Sequence, residues 1–148
     1  MEPYPWKDDV EWLAVDRQGF VGVFTTGGSG PIPHTFLRAP GLLERVHDAI
    51  WSLPEISKGT LLVTLPSPDD YSAFARRGLF AFDWADVERT ADFSNRYELH
   101  AQPDAPARLA DFGWPAELLQ SIAAVTSPTL DFRQTRVDVQ DLDCARPP

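Results

Sequence analysis

The chain has 148 residues, 43% of them hydrophobic and 11% aromatic, which suits one globular domain, with an ordered core over 10–140, rather than a disordered chain. Its 22 acidic against 13 basic side chains give a formal charge of -9, which repels nucleic-acid phosphates and anionic membranes and is compatible with a basic protein partner, although the same charge also serves solubility alone. The single cysteine, Cys144, excludes an internal disulfide, the first residues lack a signal-peptide pattern, and no apolar run reaches the ~18 residues of a membrane span, so a cytoplasmic location is expected.

Two alternating apolar runs come first, residues 12–15 and 20–24, joined by Asp16-Arg17-Gln18-Gly19. Asp16 can bond the backbone two residues on and Gly19 can take the left-handed conformation, so the segment reads as a β-hairpin. In the second run both alternating sets are apolar, which predicts a central strand covered on both faces, with Gly22 leaving room for an aromatic ring. Gly27-Gly28-Ser29-Gly30-Pro31-Ile32-Pro33 then reads as an exposed loop.

Leu42, Leu43, Val46, Ala49, Ile50 and Leu53 recur at helical spacing until Pro54, with Glu44, Arg45 and Asp48 on the wet face. Residues 60–65, TLLVTL, predict a short buried strand. Ser67-Pro68-Asp69-Asp70 carries the pattern of a helix start, with Tyr71, Phe74 and Ala75 as the apolar stripe and Gly78 as the stop. Strands follow at 79–84, where Phe80, Phe82 and Trp84 share the core face, and at 96–101, where Tyr97 and Leu99 oppose Glu98 and an outward-facing His100.

A third helix starts at Pro115 with Leu118, Leu119, Ile122 and Val125 on one side. Leu130 and Phe132 differ in parity from Val137 and Val139, which predicts a break near Arg133 or Gln134, and 141–148 reads as an unpacked tail. The sum is an α+β domain with a mixed or mainly antiparallel sheet of about five to six strands and about three helices.

No catalytic motif emerges. The glycine loop meets prolines where a phosphate cradle needs a helix, and Ser29 lacks the Gly-x-Ser-x-Gly elbow. His34, His47, His100 and Cys144 match no metal-ligand spacing, and Cys144 has no base held beside it. The chain therefore reads as a non-enzymatic binding module without metal or cofactor. Asp83, Trp84, Asp86, Glu88 and Asp92 set carboxylates around an aromatic ring, a composition suited to Arg or Lys on a partner, and Gly28, Ser29 and Gly30 form a second contact. Self-association, and a small-molecule or enzymatic pocket near the 27–33 loop, stay open as alternatives.

The pattern WLAVD-x-x-G-x-V-x-V-F, then G-P-I-P, R-R-G-L-F-x-F-D-W and R-Y-E-L, resembles a group of small bacterial proteins of uncharacterised activity over residues 12–139. Such small, acidic α+β proteins are similar in kind to the immunity proteins that neutralise bacterial toxins. The resemblance implies a basic toxin domain as partner and names no catalytic residue.

Overall fold

Asp16 closes the first hairpin as its position predicts. A computed structural model describes residues 2–5, 7–63, 69–84 and 96–146, and in it Asp16 Oδ1 accepts hydrogen bonds from the amides of Gln18 at 2.9 Å and Phe20 at 3.0 Å. Gly19 takes a φ of 87° to finish the turn. The other carboxylate oxygen accepts from the Phe132 amide at 3.2 Å, so one side chain, only 3% exposed, ties the hairpin to a loop far along the chain.

In chain order the elements are β1 (Glu11–Val15), β2 (Val21–Thr25), β3 (Ile32–Pro33), α1 (His34–Arg38), α2 (Leu42–Trp51) and β4 (Gly59–Leu61). There follow α3 (Asp69–Arg76), β5 (Phe80–Trp84), β6 (Arg96–Pro103), α4 (Ala116–Ala123), β7 (Arg136–Asp138) and β8 (Cys144–Ala145). Six strands form one sheet in the order β1-β2-β5-β6-β4, with β7 also paired to β6, and β3 pairs β8 in a separate two-stranded ladder. Among the named strands of the described residues only β2 and β5 pair in parallel; the other ladders are antiparallel. The α+β class and the mainly antiparallel sheet follow the sequence pattern.

The two faces of the sheet differ in chemistry. One carries Trp12, Phe24, Phe82 and Tyr97: Trp12 stacks on Phe24 at 4.2 Å, Phe24 on Phe82 at 4.8 Å, and Tyr97 meets Trp12 and Phe24 edge-on. Each such pair adds roughly 0.5–1.5 kcal/mol beyond the area it buries. Phe36 from α1 and Phe132 cover this layer. Gly22 is what admits Phe132, because a Cβ there would stand 3.0 Å from its ring. The buried Tyr97 hydroxyl accepts from Trp12 Nε1 and donates to the Pro31 carbonyl at 2.8 Å, so the aromatic layer leaves neither group unpaired.

On the opposite face Leu13, Val23 and Ala81 are buried, and α2 and α3 pack over β1, β5 and β6. The wet face of α2 holds Glu44, Arg45 and Asp48 as expected, and Asp69 and Asp70 begin α3 before Gly78 ends its run at a φ of 86°. Ser67 and Pro68, the expected cap, lie outside the described residues. The parity break near Arg133 and Gln134 is real: the chain turns over 132–135, drops Phe132 into the core and resumes as β7.

Three expectations are overturned. The run at 60–65 is not a buried strand: among the described residues β4 is an edge strand bonded only to β6, with Leu61 37% and Leu62 41% exposed. α3 covers one side of β4, where a Cβ on Gly59 would stand 2.6 Å from Ala75, but it leaves Leu61 and Leu62 partly in solvent, and residues 64–65 lie outside the described residues. The loop at 27–33 is neither exposed throughout nor all loop. Only Gly27 is fully exposed, Ile32 and Pro33 form β3, and α1 starts directly at His34 because Pro33, at a φ of -55°, suits a helix entry. Residues 141–146 are not an unpacked tail: Leu142 is buried and Cys144 and Ala145 pair with Pro33 and Ile32, which gives the short β3 its partner, while 147–148 lie outside the described residues.

Candidate functional site

At the carboxyl ends of the parallel strands β2 and β5 a polar row interrupts the apolar face covered by α2 and α3. Register places Glu11 of β1 opposite Thr25 of β2, Thr25 opposite Asp83 of β5, and Asp83 opposite Glu98 of β6. Residues directly opposite share a face, so these four side chains stand in line across four strands. The ends of parallel strands are a common place for ligand crevices, and here two adjoining clefts open there.

The inner cleft, of 420 Å³, is lined by Asp9, Glu11, Thr25, His47, Asp70, Tyr71 and Phe74. The outer cleft, of 490 Å³, shares Asp9, Glu11 and His47 and extends past Glu2 and Asp8 of the N-terminal segment to Glu44 and Asp48 of α2. No Lys or Arg is among the described residues lining either cleft. His47 Nδ1 lies 3.2 Å from both Glu11 carboxylate oxygens, and Asp9 accepts from the Gly27 amide at 2.9 Å. The carboxylates thus converge on one groove with little built-in neutralisation.

Their protonation reflects that crowding. Burial pushes the Asp83 carboxyl up to about 6 against the Tyr71 hydroxyl and the Trp84 amide, which favour the ionised form, while Asp9 and Glu98 add to the rise. Desolvation and the nearby Asp70 raise Asp9, opposed by the Gly27 amide. Tyr71 is held well above the ordinary phenol range, by burial first and by the charge of Asp83 second. Its ring meets that of His100 at 4.8 Å. His100 is buried rather than outward-facing, because α3 covers this end of β6, and burial lowers its pKa against the pull of Glu98.

The residues expected to meet a partner are distributed differently from their order in the sequence. Asp83 is half-buried in the polar row, whereas Trp84 points to the other face and packs its ring on Tyr97 at 5.2 Å. The two do not form one surface. Asp86, Glu88 and Asp92 lie outside the described residues. In the glycine loop Gly28 and Gly30 are buried and Ser29 half-buried. A Cβ at Gly28 would stand 3.0 Å from Lys7 Cα, and one at Gly30 would stand 2.3 Å from the Tyr97 hydroxyl. Tyr4 donates a hydrogen bond to the Gly30 carbonyl. The N-terminal segment therefore closes over the loop, and the turn is packed rather than hollow.

The remaining chemical candidates resolve into structural roles. His34 binds the Asp143 carbonyl at 2.8 Å and its carboxylate at 3.1 Å, joining α1 to the C-terminal residues. Burial pushes the Cys144 thiol up to about 12, which leaves it protonated and unreactive. Among the described residues no group of three or more His, Cys, Asp or Glu side chains is arranged to hold a metal ion, and no helix is long and apolar enough to cross a membrane. Known protein families, characterised proteins and solved structures provide no match to this chain.

The groove was hard to find from sequence because its members come from five separate segments. One signal was present: Asp8 and Asp9 directly precede β1 and Glu11 opens it, so three carboxylates gather within four residues.

Proposed function

We propose that this protein is a non-enzymatic binding module for a basic protein partner, and that it serves in the cytoplasm as an immunity protein for a cognate bacterial toxin. The observation that carries the reading is the acidic groove, whose carboxylates come from the N-terminal segment, β1, α2 and α3 with no Lys or Arg lining it among the described residues. Low-dielectric walls focus the field of such a groove, which raises the encounter rate with a cationic surface and selects against anionic ones. The net charge of -9 extends the same bias over the whole molecule. The carboxylates that support this reading line the groove, and Asp83 stands next to Thr25 across the sheet. Asp86, Glu88 and Asp92 add acidity to the sequence just beyond β5.

The test is co-expression with the product of the neighbouring gene, followed by growth measurement and co-purification over a salt series. The reading expects protection from a toxic neighbour, a complex that weakens with salt, and loss of both in an Asp9→Asn, Glu11→Gln, Asp70→Asn triple variant. A neighbour that is neither toxic nor bound, or a complex indifferent to the triple substitution, overturns it.

A further inference from the structure

Thr25 is the least explained residue in the groove. It is only 9% exposed, yet its Oγ1 has no hydrogen-bonding partner among the described residues, although a buried hydroxyl ordinarily finds one. It also lines the inner cleft, between Glu11 and Asp83 in the sheet register and beneath Asp70 and Tyr71 of α3. A hydroxyl left unpaired beside a cleft lined with carboxylates still has lone pairs to offer, and the acceptors around it outnumber the donors.

The arrangement discriminates between kinds of cation. A metal ion needs several ligands converging on one point, and no such convergence exists among the described residues. The acceptors are instead contributed from separate elements: Asp9 from the segment before β1, Glu11 and Thr25 from facing positions on β1 and β2, and Asp70 from α3. The rings of Tyr71 and Phe74 supply an aromatic wall. A planar cation with five donors in a fixed fork and a face that stacks on aromatic rings fits this distribution, whereas a compact ammonium does not use it.

We propose that the inner cleft is a receptor for a guanidinium group, supplied by an arginine side chain that the protein partner inserts between α2 and α3. This deepens the reading of the groove as a partner surface and rests on it. The guanidinium donates to Thr25 Oγ1 and to the Asp9 and Asp70 carboxylates, and its face lies against Tyr71. The upward pressure on Asp9 and Asp83 is relieved by the same event, since an arriving cation favours their ionised forms.

The test is NMR titration of the full chain with acetyl-Gly-Arg-Gly-amide, with its lysine and citrulline counterparts, and with agmatine as a free guanidinium. The proposal expects the arginine peptide to shift the Thr25, His47 and Tyr71 resonances, and to bind about tenfold more tightly than the lysine peptide. The citrulline peptide is expected to leave those resonances unmoved. Thr25→Val, which keeps shape and removes the hydroxyl, and Asp70→Asn are each expected to weaken the arginine peptide by about fivefold or more. Equal binding of arginine and lysine, shifts confined to the outer cleft, or an unaffected Thr25→Val variant would overturn the proposal. Agmatine binding more tightly than the peptide would assign the cleft to a free small cation and overturn the partner side chain as its source. A neighbouring gene product that binds while the arginine peptide does not removes this inference alone; a peptide that binds where no protein partner does removes the functional reading alone.

Discussion

Asp83→Asn is expected to stabilise the protein at neutral pH while doing nothing for it in acid. The folded Asp83 carboxyl sits at about 6 against an ordinary 3.8, a gap of about two units driven by burial, partly offset by the Tyr71 hydroxyl, and widened by Asp9 and Glu98. At ~1.36 kcal/mol per unit the gross cost of ionising it in the fold is roughly 3 kcal/mol, and solvent reaching this half-buried group screens that to about 1–1.5 kcal/mol. Because the folded state holds the proton more tightly than the unfolded chain, the contribution is fully present below pH 4 and is lost as pH rises through 6. The amide cannot ionise and still offers Tyr71 an oxygen. The stability difference between variant and parent should therefore climb from near zero at pH 4 to about 1–1.5 kcal/mol at pH 7.5, or roughly 2–5 °C in midpoint. Urea unfolding at both pH values measures it. A difference that ignores pH, or a variant less stable at pH 7.5, would refute the placement of this carboxyl in a desolvated row.

Two further outcomes follow from the buried polar groups. Asp16→Ala strands the amides of Gln18, Phe20 and Phe132 and should cost about 3–5 kcal/mol in chemical denaturation; Asp16→Asn keeps an Oδ1 that accepts from the first two amides and should lose less, and a cost below ~1 kcal/mol for the alanine would remove Asp16 as the tie between hairpin and loop. Cys144, raised to about 12, should react with a disulfide reagent at pH 8 about 100-fold or more slowly in the folded protein than in urea, and equal rates would mean that the C-terminal strand does not cover it.

Local chemistry made much of the fold legible. Asp16 and Gly19 announce a turn through interactions within five residues, and the double apolar pattern of β2 encodes its central position without reference to its neighbours. Gly22 was readable for the same reason, since a glycine between Val21 and Val23 has few uses besides admitting a ring. What could not be read depends on distant partners. Nothing near TLLVTL reveals that, among the described residues, β4 bonds only to β6, and nothing near Cys144 reveals that Pro33 and Ile32 await pairing. The site suffered most. Asp83 and Trp84 look like one acidic-aromatic surface in sequence, but the period of two in a strand sends them to opposite faces, and the cleft beside Asp83 is assembled from α2, α3 and the N-terminal segment.

The parallel pairing of β2 with β5 also sets a waiting time. On the ribosome the hairpin can close as soon as it emerges, but the second edge of β2 has no strand to bond until Phe80–Trp84 is made. The roughly 55 residues between them take on the order of 3–10 s at ~5–20 residues/s. Throughout that interval the most apolar strand of the sheet presents open backbone groups, the condition that invites pairing with another chain. The order in which this polypeptide is synthesised thus makes its future centre, for several seconds, its most adhesive edge.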